Sequence, residues 1–300
     1  MLFRSPLTAV TGVNREIVRV AAVQYKLRPI AAFGEFARQS EGYVAAARDL
    51  DAELVVFPEY FTAQLMSIPA NGKPCGTILD LVRYAGPYVA LFGELARRYT
   101  IPILAGTHVV QKGNRRYNTA HLFHPDGQVE TQRKLHLTPT ERGPWGISPG
   151  EELKLMALPW GKAAILTCYD AEFPELGRLA RARGAEIVFA PTCTDDHHGF
   201  WRVRYSAHAR AIEDQVFVVV ASTVGALPNV EHMRTNIGQA AIIGPCDYPF
   251  PPGGVLARGE MNDEAVVAAD LDLGQLARVQ AGGSVRTWQD RRVDIYPEIR

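Results

Sequence analysis

The chain has 300 residues, 47% of them hydrophobic, enough to bury a large core in one or two domains. Its 32 basic and 32 acidic side chains balance to a formal net charge of zero. That leaves no electrostatic footprint for nucleic acid or an anionic membrane surface.

No apolar run approaches the length needed to cross a bilayer, and Arg4 interrupts the short apolar start, so no signal peptide is expected. Cys75, Cys168, Cys193 and Cys246 lie far apart with no C-x-x-C pair. This argues against a zinc site or a disulfide framework and for a reducing cytoplasm. No Ser/Gly-rich linker or charge block divides the chain. One domain over 1–300 is expected, with its core at about 18–273.

In chain order, Arg19 to Tyr25 reads as a strand, and Phe33 to Asp51 as a helix carrying Phe33, Phe36, Tyr43, Val44 and Ala47. A second strand from Leu54 ends at Glu59. Pro58 stops pairing there, so the carboxylate is expected to project from a sheet edge. Pro87 to Thr100 is an amphipathic helix with the stripe Tyr88, Phe92, Leu95, Ala96 and Tyr99. Ile101 to Val110 is a strand. Asn118 to Phe123 and Val129 to Lys134 form a hairpin about Pro125-Asp126-Gly127. Leu153 to Leu158 and Lys162 to Thr167 form another about Pro159-Trp160-Gly161. Helix Glu175 to Arg183 leads to strand Glu186 to Ala190, and helix Trp201 to Asp214 to strand Val216 to Ser222. Late strands are expected at Gly238 to Ile243, Gly254 to Arg258 and Ala265 to Leu271, then a helix from Leu273 to Val279. Strands alternating with helices argue for an α/β fold, and the hairpins add antiparallel pairs. Pattern alone leaves open whether the strands make one mixed sheet or two stacked ones.

Three strand ends carry chemistry. Cys168 lies between a buried strand and a helix start, where backbone N–H groups lower a thiol pKa and hold a developing oxyanion. Glu59 and Lys134 close two other strands. A thiol, a carboxylate and an ammonium together supply a nucleophile, a proton shuttle and an oxyanion stabiliser. Each alone also reads as a packed thiol or a solvated charge. Tyr60, Cys193 and Thr194, beside strand ends, are candidate substrate contacts. So is His136, whose other reading is a structural role; a competing thiol-hydrolase design would make it the histidine partner of Cys168. Asp195, His197 and His198 are expected in a polar loop near the mouth. His121 and His124 fall on opposite faces of one strand and cannot chelate one ion together. No metal is expected.

The words F-P-E at Glu59, R-K-L-H-L at Lys134 and T-C-Y-D-x-x-F-P-E at Cys168 occur in this order. On these words, and on Arg210 to Gln215 before Val216 to Val220, the chain resembles the nitrilase superfamily of carbon–nitrogen hydrolases over roughly 18–273. Val20 to Tyr25, Cys193-Thr194-Asp195 and Gly225 to Glu231 further resemble the hydrolase half of bacterial proteins fused to a GNAT-type acetyltransferase. Too few residues precede Val18 for such a domain, so none is expected here.

The resemblance implies a four-layer α-β-β-α sandwich and a cofactor-free enzyme. Glu59, Lys134 and Cys168 would be its catalytic residues, and the Tyr169 N–H an oxyanion donor. Glu141 matches a second glutamate that positions the lysine and the substrate. Tyr169-Asp170 after the cysteine is similar to amidase and omega-amidase-like members, where nitrilases carry Trp-Glu. The expected activity is hydrolysis of a small linear amide through a thioester. Nitrile hydrolysis, acyl transfer to an amine and a catalytically silent scaffold stay open as alternatives. A homodimer is expected, with the apolar tail Val285 to Ile299 covered by a partner or packed back on its own domain.

Overall fold

The computed structural model describes residues 16–70, 72, 73 and 75–295. The end of the expected tail, from residue 296 on, lies outside the described residues. The strands are β1 (Ile17–Leu27), β2 (Leu54–Val56), β3 (Ile103–Lys112), β4 (Arg115–Phe123), β5 (Val129–Arg133) and β6 (Leu155–Leu158), followed by β7 (Gly161–Ile165), β8 (Ile187–Thr192), β9 (Phe217–Gly225), β10 (Ala241–Ile243), β11 (Val255–Arg258) and β12 (Ala265–Asp272). The helices are α1 (Phe33–Asp49), α2 (Ala85–Tyr99), α3 (Pro139–Arg142), α4 (Pro174–Ala182), α5 (His197–Glu213) and α6 (Leu273–Gly282).

The strands form two halves. One runs β5-β4-β3-β2-β1 with β12 antiparallel to β1; the other runs β6-β7-β8-β9 with β10 and β11 beyond. They join where Gln24 to Leu27 of β1 pair in parallel with Ser222 to Gly225 of β9. The period-2 alternation of side chains sorts the residues of each strand between layers. Val18, Val20 and Ala22 of β1 meet Ile165, Phe189, Phe217 and Val219 of the other half in a central apolar layer. Ala21, Val23 and Tyr25 face outward onto Phe36 and Val44 of α1 and Phe92 of α2. In the second half, Ala164, Val188 and Val218 face Ala180 of α4 and Ala207 and Ala211 of α5. The two halves of this one hydrogen-bonded sheet lie face to face with helices outside, the layering of the four-layer α-β-β-α sandwich.

Several local expectations change. β2 lies inside its half between β1 and β3, so Glu59 leaves the carboxyl end of an interior strand rather than a lateral edge. α5 begins at His197, not Trp201, because Asp196 caps it by accepting from the Gly199 N–H at 2.6 Å. His197 and His198 therefore belong to a helical turn rather than a loop. His121 and His124 take separate partners, the Thr119 carbonyl at 3.1 Å and Glu130 at 3.0 Å.

Candidate active site

β2, β3 and β5 run the same way, as do β7, β8 and β9, so several loops gather at strand carboxyl ends. Glu59, Lys134, Cys168 and Cys193 are delivered from four of these ends. They line one cavity of about 520 Å³ with Tyr60 and Glu141.

Lys134 is 2% exposed and donates from Nζ to Glu59 Oε1 at 2.8 Å and to Glu141 Oε2 at 2.7 Å. Burial alone would lower its pKa, but the two carboxylates hold it well above its ordinary value. Glu141 is brought in by the short helix α3. Its side chain accepts from the Thr138 N–H at 3.0 Å, and its own N–H donates to Thr138 Oγ1 at 3.3 Å. This reciprocal cap is why Thr-Pro-Thr-Glu folds into a turn here. Burial would raise the Glu141 pKa, yet Lys134 and hydrogen bonds from Thr138 and Asn118 hold it below its ordinary value.

Glu59 stands differently. It is 1% exposed, and burial, only partly offset by Lys134, raises its pKa to about 7. It lines the same cavity as Cys168, whose side chain opposes the rise. Tyr60, the next residue, has a left-handed backbone (φ +48°) and donates its hydroxyl to Glu141 Oε1 at 2.9 Å.

Cys168 opens the 3₁₀ turn Cys168–Glu172 with φ +48°. Its Sγ lies 3.7 Å from the Cys193 carbonyl oxygen. The thiol pKa is raised, by burial and then by the Glu59 charge, and Lys134 opposes this. The expectation of a lowered thiol pKa is thus overturned. At rest the group is a thiol, and a base must take its proton. Asp170, in the same turn, accepts from the backbone N–H of Leu135 at 3.2 Å and of His136 at 2.7 Å. It therefore ties the segment following Lys134 to the turn that carries Cys168.

Cys193 and Thr194 line the cavity, and Cys193 donates to Asn236 Oδ1 at 3.4 Å. Its thiol is pushed up to about 12 by burial and the Glu59 charge. Tyr169 also lines it. His136 does not. Its ring stacks on Phe173 at 3.7 Å, bonds Asp170 at 3.1 Å, and borders a neighbouring groove with Leu137 and Arg142. Its ring thus has Asp170 as partner, in keeping with a structural role, and it stands outside the residues that line the cavity. The sequence reading missed Asn118, which bridges both glutamates, and the outer wall of Glu172, Arg202, His232 and Asn236. A strand pattern marks Asn118 only as one polar residue among many. The wall joins residues from distant loops. Among the described residues no group of three or more His, Cys, Asp or Glu is placed to hold a metal ion.

The sequence profile of the carbon–nitrogen hydrolases matches residues 19–281. Probable hydrolase YhcX of Bacillus subtilis is 44% identical over 93% of this chain, which spans only 54% of that protein's length. Omega-amidase NIT2 of Danio rerio is 27% identical over 93% of this chain and 96% of its own. Among solved structures, Nit3 of Saccharomyces cerevisiae, of the nitrilase superfamily, superposes with a TM-score of 0.73 at 23% identity. The superposition covers 92% of this chain and 97% of Nit3. With the sandwich and a profile match over nearly its whole length, the chain belongs to the carbon–nitrogen hydrolase family.

Proposed function

We propose that this protein hydrolyses a small linear amide through a Cys168 thioester. The reading is carried by one observation: Glu59, buried and with a pKa raised to about 7, lines the same cavity as a buried thiol and a fixed ammonium. A carboxylate of that basicity takes a proton near neutral pH and returns it.

Glu59 takes the Cys168 proton as sulfur attacks the amide carbon. The Lys134 ammonium and the Tyr169 N–H stabilise the oxyanion. Glu59 then protonates the amide nitrogen, the C–N bond breaks, and ammonia or an amine leaves. Water, deprotonated by Glu59, attacks the thioester and releases the acid and the thiol. Similarity to an omega-amidase supports an amide over a nitrile, as does Tyr169-Asp170 after the nucleophile.

Intact-mass spectra after incubation with a panel of small amides test this. A retained acyl group is expected on the wild type and none on Cys168→Ala, which should also lose turnover. Turnover surviving in that variant at a tenth of wild type would sink the nucleophile assignment.

A further inference from the structure

Asn118 sits in β4, 1% exposed, and no step of the proposed reaction uses it. Its Nδ2 donates to Glu59 Oε1 at 2.9 Å and to Glu141 Oε1 at 3.0 Å, one hydrogen for each carboxylate. Its carbonyl oxygen accepts from the Lys134 backbone N–H at 2.9 Å. One residue thus touches all three charged members of the buried cluster.

Packing does not account for this side chain. Its Oδ1 is buried with no hydrogen-bond partner. A buried acceptor left unsatisfied costs free energy that an apolar side chain of similar size would not. The favourable side of the balance is the pair of donated bonds.

We infer that Asn118 is a positioning residue for the base. Its amide nitrogen holds Glu59 and Glu141 on Lys134 and keeps Glu59 Oε1 occupied, leaving the other carboxylate oxygen to take the Cys168 proton. The inference rests on the amidase reading above.

The neutrality of the amide is part of the device. The groups facing Glu59 are Tyr60 beyond β2, Lys134 beyond β5, Glu141 in α3, Cys168 in its 3₁₀ turn and Cys193 beyond β8. Of these only Lys134 is a cation. A second cation in place of Asn118 would hold Glu59 permanently as a carboxylate and weaken it as a base. An uncharged donor fixes its direction while leaving its proton affinity high. Because the N–H favours the ionised carboxylate, losing it should raise the Glu59 pKa. Activity that needs ionised Glu59 should then set in at higher pH.

The test uses the full chain and iodoacetamide, which is both a small amide and a thiol alkylator. The rate of Cys168 alkylation, followed by peptide mass spectrometry, is measured against pH for wild type, Asn118→Ala and the near-isosteric Asn118→Asp. Wild type should gain reactivity as pH rises through the ionisation of Glu59. In Asn118→Asp, which adds a third carboxylate, that limb should move up by about one unit or more, a loss of about tenfold in rate below the limb. Asn118→Ala should move it the same way by less, with thermal melts checking that each variant is folded. Limbs unmoved in both variants, with rates falling only as folded protein is lost, would leave Asn118 a structural residue and overturn the inference. A flat wild-type profile would overturn the assignment of Glu59 as base, and the inference with it.

Discussion

Glu59 and Glu141 share one lysine, yet their surroundings push their protonation apart. Glu141 accepts from Lys134, Tyr60, Asn118 and Thr138, enough donors to keep it ionised. Glu59 accepts from Lys134 and Asn118 and faces the thiol, and burial dominates. In the proposed reaction, two carboxylates with separated pKa values would divide the work into a fixed charge and a proton shuttle. Hydrolysis should therefore fall on acidification through about pH 7, where Glu59 takes up its proton, and a pH profile of kcat/KM checks this. Lys134→Ala should cost ~10²–10³ in kcat, the usual loss for one oxyanion donor. Glu59→Gln should also be severe, and the double variant should cost much less than the product of the singles. Strict multiplicativity in steady-state kinetics would mean separate steps or sites. At this scale Glu59, Lys134, Cys168 and Glu141 are legible because each sits at a strand end or in a short, distinctive word. Asn118 and Asp170 are not, since their partners lie across strands and loops whose register the sequence does not disclose.

The elements that deliver these side chains depend on close backbone contacts. The β3–β4 register shifts between Leu104 and Thr107, and Gly106 there has φ +54°. A Cβ on Gly106 would lie 1.9 Å from the Pro58 carbonyl oxygen, one residue before Glu59. Gly106→Ala is therefore expected to destabilise the fold by at least ~1–3 kcal/mol and to displace Glu59. Urea denaturation and amidase rate together test this, and full activity with unchanged stability would show that the bulge tolerates a side chain. The sequence places β3 but not its bulge, because one glycine in a strand pattern has several meanings. It also misses the 3₁₀ segments Phe61–Ser67 and Ile78–Tyr84, which are too short for periodicity to register. The start of α5 was readable in principle from Asp196, a strong capping residue.

At the scale of the whole molecule, the alternation of strands and helices left one sheet or two undecided. The arrangement is settled by strands apolar on both faces, such as β1, which must be covered twice. The tail divides. Trp288 packs back against Arg178 and Arg181 of α4, 5.8 and 5.5 Å from its ring centroid, and Thr287 donates to the Ile212 carbonyl at 2.9 Å. Val285, Val293 and Ile295 stay exposed, as do Leu179 of α4 and Trp201, Tyr205 and Ile212 of α5. We propose that two copies pair over this apolar surface. Light scattering at micromolar concentration should give twice the 33.0 kDa chain mass. A monomer persisting at high concentration would refute the pairing. A dimer unaffected by deleting the residues after Ser284 would refute the tail's part in it.

The split of the proposed catalytic set between the two halves has a consequence for how the protein is made. Glu59 and Lys134 come from the half built on β2 and β5, and Cys168 from the half built on β7. The seam between them, β1 with β9, closes only once Gly225 has been synthesised, and β12 then pairs along β1. During translation Cys168 therefore leaves the ribosome well before the strand that closes the seam between its half and that of Glu59. On the proposed mechanism, reactivity of the thiol is therefore expected to appear only as a late event of folding.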